Sequence, residues 1–225
     1  MNDLSNMNRL RKEMDLPPLP ANDNAPAKPL PVIDPRTWQG VPVKERQWFV
    51  EGLIPAGTVT SLSGDGGTGK SQLALQLIAA SALRCDWLGM PVAEGPCLYY
   101  GAEDTADELH RRLACIVEHH NRTLADLTGV RLVPMAERDA VLAMPNRFGQ
   151  MEPTPAFKEL CWEAGQLRPK LIVIDTSADA FGGDEIKRNQ VRQFVSTLRS
   201  LAIEIDCAVL LLSHPSLTGG CPVFC

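Results

Sequence analysis

Apolar residues along this chain fall into two alternating patterns: short unbroken runs, and longer stretches in which they recur every three or four positions. The runs "TVTSLS", "CLYYG", "VRLVPM", "LIVID" and "AVLLLS" end at or beside glycine, proline or polar residues, as buried strands do. Between them the helical period predicts helices over 71–83, 105–120, 154–167 and 189–205. In the first, Leu73, Leu77 and Ala80 share a face that Leu75 and Ile78 widen; in the second, Leu109, Leu113, Ile116 and Val117 do the same. Strands alternating with helices of this length imply right-handed crossovers. The expected fold class is therefore α/β, a mostly parallel sheet with helices on both faces, in three layers.

Before Trp38 this rhythm is missing. Prolines at 17, 18, 20, 26, 29, 31 and 35 block helix propagation and strand pairing, so 1–37 reads as a flexible tail with room at most for a short helix over 4–14. The folded domain is expected over 38–219, and 220–225 as a divergent end.

Composition narrows the class. A chain of 225 residues, 44% hydrophobic and 22% charged, can bury one full α/β core with a tail beside it. Its formal charge of −5 gives no general basic footprint, so contact with nucleic acid would need a local patch or several converging subunits. Seven cysteines, at 85, 97, 115, 161, 207, 221 and 225, form no C-x-x-C pair and suit reduced thiols in a cytosol. Cys221 and Cys225 could supply half of a metal site, without an evident second half. No secretory leader and no membrane-long apolar stretch is visible, so a cytoplasmic location is expected.

The candidate chemistry starts at "SLSGDGGTGKSQLALQL", which carries the spacing G-x-x-x-x-G-K-[ST] between a strand and a helix. Gly64, Asp65, Gly66, Gly67, Thr68 and Gly69 would curl their backbone amides inward around phosphates, and the helix opening at Ser71 and Gln72 adds its positive end. Lys70 would reach the terminal phosphates and Ser71 would take one Mg²⁺ position. Asp175 ends "LIVID" at the sheet edge where ligands bind in open α/β sheets; it is either the carboxylate that holds Mg²⁺ through water or a cap for the next turn.

Two further groups leave strand ends. In "YYGAED", Glu103 could orient and deprotonate water, or Glu103 or Asp104 could cap the next helix; Asp104 or Thr105 can take that task and leave Glu103 free. In "LLLSHPS", Ser213 and His214 stand where a terminal phosphate would lie, and His214 is either a phosphate sensor or a structural histidine. A nucleotide-dependent motor, a nucleotide-gated regulatory or binding protein without translocation, and a small-molecule kinase all fit such a loop. The kinase lacks a second phosphate-acceptor site and a basic lid.

Together these segments resemble the RecA-like P-loop ATPases, and in detail the RepA-type replicative helicases of plasmids and phages. The resemblance rests on "GLIPAGTVTSLSGDGGTGKSQLALQL", "LYYGAEDT" with "HRRL", "LIVIDTSADAFGGDE" with "NQVRQFV", and "LLLSHPSLTG". It implies a homo-hexameric ring that hydrolyses ATP with Mg²⁺ to move along single-stranded DNA. It implies Glu103 as catalytic glutamate, His214 as γ-phosphate sensor, and the His214 strand between the strands of Gly64 and Asp175. Residues 178–190 would form a loop on the inner side of the ring, or a solvated turn, with Lys187 and Arg188 as candidate DNA contacts. Of Arg111 and Arg112, one could approach the nucleotide or both could lie on a solvated helix face. The family continues into further strands and an arginine that enters the neighbouring site, whereas this sequence gives "GCPVFC". A shortened end, an exposed sheet edge and slow hydrolysis are the matching expectations.

Overall fold

The computed structural model describes residues 31–214. The expected helix over 4–14, Cys221, Cys225 and the 220–225 end lie outside them. The chain divides into two units, Met1–Lys44 and Glu45–Cys225. In the first, a 3-10 turn at Pro35–Trp38 is capped by Asp34, whose Oδ1 accepts a hydrogen bond from the Arg36 amide at 3.0 Å.

The second unit opens with a small hairpin, β1 (Trp48–Val50) and β2 (Ile54–Pro55). Its centre is a five-stranded sheet built from β3 (Val59–Ser63), β4 (Cys97–Gly101), β5 (Val130–Pro134), β8 (Leu171–Asp175) and β9 (Ala208–Ser213). The spatial order is β3-β9-β8-β4-β5, and every pairing is parallel. β9 thus runs between β3 and β8, as the resemblance implied. The register sets Ser63 opposite Ser213 and Gly101 opposite Asp175. Strand ends that lie far apart in sequence therefore finish side by side at one edge of the sheet.

Helices α1 (Lys70–Leu83), α2 (Ala106–His119), α3 (Pro155–Leu167) and α5 (Arg188–Ile205) cover the two faces. Alternating strand residues separate the two cores. Leu98, Tyr100, Ile172, Ile174, Val209 and Leu211 pack with Leu160, Phe194 and Leu198 on one face. Tyr99, Leu171, Val173, Leu210 and Leu212 pack with Leu75, Ile78, Leu109 and Leu113 on the other. The three-layer α/β architecture follows from this period-two alternation in strands that are buried on both faces.

Each long helix begins within about one residue of where its periodicity predicts it, and the caps show why. Thr105 accepts from the Glu108 amide and Thr154 from the Phe157 amide, each ending an extended segment and starting a helix. Periodicity does not signal the hairpin β6 (Ala143–Pro145) and β7 (Met151–Pro153), or the one-turn α4 (Ser177–Ala180). These pieces are too short to show a period, and tertiary bonds hold them: the Leu142 amide donates to Ala180 O and the Gly182 amide to Ala143 O. Residues 178–190, expected as a loop or a solvated turn, run from α4 through a braced turn into α5.

Candidate nucleotide site

The glycine loop leaves β3 at Gly64 and enters α1 through Gly69, whose φ of +87° only glycine adopts without strain. Gly69 has no side chain to cap the helix, which leaves the first amides of α1 available to an anion. Gly67 is also left-handed, with φ of +76°. Gly64 is constrained by space: a Cβ there would meet Thr68 Oγ1 at 3.1 Å. Thr68 folds the loop by donating from Oγ1 to Asp65 O at 2.8 Å, while Asp65 and Gly66 are exposed. The Gly64 amide donates to Ser213 O at 3.2 Å, tying the loop to the end of β9.

Lys70 is only 8% exposed, and its ammonium is held inside the loop. Nζ donates to Gly64 O at 2.6 Å and to Asp65 O at 2.9 Å, and its third contact is His214 Nδ1 at 3.4 Å. An ammonium can only donate, so Nδ1 must accept, and the imidazole proton then sits on Nε2. That nitrogen faces Glu103 Oε1 at 3.6 Å. Lys70, His214 and Glu103 thus stand in a row across three strand ends.

Asp175, at the end of β8, is 2% exposed. Its Oδ2 accepts a hydrogen bond from the Tyr99 hydroxyl, whereas Oδ1 is buried without a hydrogen-bond partner. Burial and the neighbouring Asp175 charge push the Tyr99 hydroxyl well above its ordinary pKa, so it remains a donor. A buried carboxylate oxygen left unpaired costs stability unless something cationic or protic meets it. Thr176 follows through a cis peptide bond and donates from Oγ1 to Asp179 at 2.6 Å.

A cleft of about 280 Å³ joins these pieces, lined by Gly67, Gly69, Lys70, Ser71, Gln72, Glu103, Asp104, Arg112, Thr176 and His214. A larger hollow of about 770 Å³ lies between edge strand β5 and α3. Its lining has ion pairs and apolar side chains, but none of the glycine loop. The smaller cleft has the anion-binding chemistry.

The family described as AAA domain matches residues 25–220. The chain belongs to this AAA-domain family.

Its core is accordingly that of a nucleotide-binding P-loop ATPase. The AAA domain brings Lys70, Ser71, Gln72, Glu103 and His214 to one cleft, with Asp175 one residue from the lining Thr176. Two other residues line the cleft, Asp104 and Arg112, the second being one of the two arginines of which one could approach the nucleotide. Thr105 takes the capping task, which leaves Asp104 free to turn inward, where it is 14% exposed and ion-paired to Arg112 at 2.8 Å. Burial and the Asp175 charge raise the Asp104 pKa, while Arg112 pulls it back down. The available signal was the T-x-x-E spacing of Thr105 and Glu108, which marks Thr105 as the cap. Arg112 is braced a second time by Glu108 at 2.9 Å, whereas Arg111 lies on the exposed face and pairs with the same glutamate.

The donor set also tests the fit of Mg²⁺. Among the described residues no cluster of three His, Cys, Asp or Glu side chains exists that could cage a metal by itself. Mg²⁺ typically uses one or two protein groups together with substrate phosphates and water. Ser71 and the unpaired Oδ1 of Asp175 fit that pattern.

No helix among the described residues is long and apolar enough to cross a membrane.

Proposed function

We propose that this AAA domain is a Mg²⁺-dependent ATP hydrolase acting as a motor on single-stranded DNA, in the manner of the RepA-type helicases it resembles, as a cytoplasmic ring of six copies. The observation that carries this reading is the row Lys70, His214 and Glu103 across the ends of β3, β9 and β4, beside the buried carboxylate of Asp175. The ATPase itself is assigned to residues 38–219.

In this reading the amides of residues 64–72 hold the phosphates of ATP. Lys70 exchanges the carbonyls of Gly64 and Asp65 for β- and γ-phosphate oxygens, trading neutral acceptors for charged ones. Ser71 Oγ, and Asp175 through water, would hold Mg²⁺, which would supply charge neutralisation at the phosphates. Glu103 orients a water and takes its proton as the water oxygen bonds to the γ-phosphorus and the bond to the ADP oxygen breaks, leaving ADP and inorganic phosphate. His214 Nε2–H donates to the γ-phosphate and registers its departure.

DNA contact is assigned to residues 178–190. Lys187 there is held by Asp184 at 3.7 Å, and Arg188 opens α5. An acidic chain can still bind a strand when six copies present the same few cations to one backbone.

The test is ATP turnover with and without single-stranded DNA. Wild-type chain should be accelerated by DNA, and Glu103→Gln should bind ATP normally while losing turnover. ATP binding without DNA stimulation would favour a nucleotide-gated regulatory protein, and normal turnover by Glu103→Gln would place the base elsewhere.

A further inference from the structure

The β6–β7 hairpin holds an aromatic ring out into solvent on a rigid support. Phe148, at its tip, is 74% exposed. Asn146 sets the tip: its Oδ1 accepts from the amides of Phe148 and Gln150 at 2.9 and 3.1 Å, and its Nδ2 donates to Glu152 at 2.7 Å. The Gly149 amide closes onto Asn146 O at 2.9 Å, with Gly149 at φ +76°. The Arg147 guanidinium lies 4.6 Å from the centre of the Phe148 ring. A phenylalanine held this way keeps its ring accessible to a partner.

The base of the hairpin ties this ring to the nucleotide edge of the sheet. Thr154 Oγ1 donates to Val141 O at 2.6 Å, the Leu142 amide to Ala180 O at 2.8 Å, and the Met151 amide to Gln193 Oε1 at 2.7 Å. The tip also borders the turn before α5. Gly149 sits beside the Gln190 side chain, whose Oε1 accepts from the Asp184 amide at 2.9 Å. Through Gln190 the tip is linked to the turn that carries Ile186, Lys187 and Arg188, with Ile186 also exposed.

We propose that Phe148 is a stacking platform for a base of single-stranded DNA and that Arg147 contacts the adjacent phosphate. The inference rests on the DNA-motor reading and extends it to a second segment, outside residues 178–190. A ring with one face free accepts any base, and a guanidinium beside it meets the backbone charge, the pairing used by sequence-tolerant single-strand binders. Of the acids nearby, Asp184 pairs with Lys187 and Glu152 accepts from Asn146, while Glu185 is exposed in the same turn.

The experiment is fluorescence anisotropy of a labelled oligothymidine, titrated over a range of salt with the full chain and three variants. Phe148→Ala should weaken binding about tenfold with the salt slope unchanged, and Phe148→Tyr should restore it. Arg147→Ala should lower the slope by about one. A fluorescent ATP analogue, bound equally by all four proteins, checks that the fold is intact. If wild type binds DNA and Phe148→Ala binds it equally well, the platform is overturned and the motor reading stands; if wild type binds no strand, both fall. A change in oligomeric state with unchanged DNA affinity would reassign the tip to contact between copies.

Discussion

His214 Nε2 lies 3.6 Å from Glu103 Oε1, and the Lys70 ammonium on the other side of the ring fixes which nitrogen carries the proton. The imidazole can therefore hand a hydrogen bond either to Glu103 or to a phosphate that enters the cleft. His214→Ala should leave ATP affinity within about threefold while turnover falls about 10²-fold, the usual cost of losing a preorganised donor. Single-turnover kinetics beside equilibrium binding would separate the two effects. A parallel loss of affinity would make His214 a support for Lys70 instead.

Asp104 gives stability a pH dependence of defined sign. Its folded pKa is raised, mainly by burial, so its contribution is fully present below the ordinary carboxylate range near ~4 and is lost as pH rises through the folded value. Asp104→Asn should lose less Tm than wild type between about pH 4 and 7. Arg112→Ala removes the charge that pulls the pKa down and should lose more. Thermal unfolding followed across pH reads both.

Thiol reactivity should map onto burial. Burial pushes Cys97 and Cys207 up to about 12, whereas Cys115 is exposed. An aromatic disulfide reagent at about pH 8 should label Cys115 promptly in folded protein and reach Cys97 and Cys207 only after denaturant is added. Peptide mass mapping assigns the sites. Early labelling of Cys207 would mean that β9 is not held between β3 and β8.

The fold was legible because its strands are unbroken apolar runs and its helices are long enough to show a period, as at Leu171–Asp175 and Arg188–Ile205. Glu103, Asp175 and His214 could be marked because each leaves a strand at the edge that the glycine loop already defines. Asp104 and Arg112 were less legible, since their meeting depends on which of two adjacent residues caps α2. Phe148 was not legible at all: its three-residue strands carry no period, and its exposure follows from the side-chain bonds of Asn146.

The central claim is that the cleft at Lys70 binds Mg²⁺ and ATP together. It is tested most directly by titrating a fluorescent ATP analogue into the chain and into Lys70→Ala, each with Mg²⁺ and with chelator. Saturable binding at one site per chain, weakened by chelator and abolished by Lys70→Ala, is the predicted result. Equal binding by the two proteins, or none by the wild type, would contradict it.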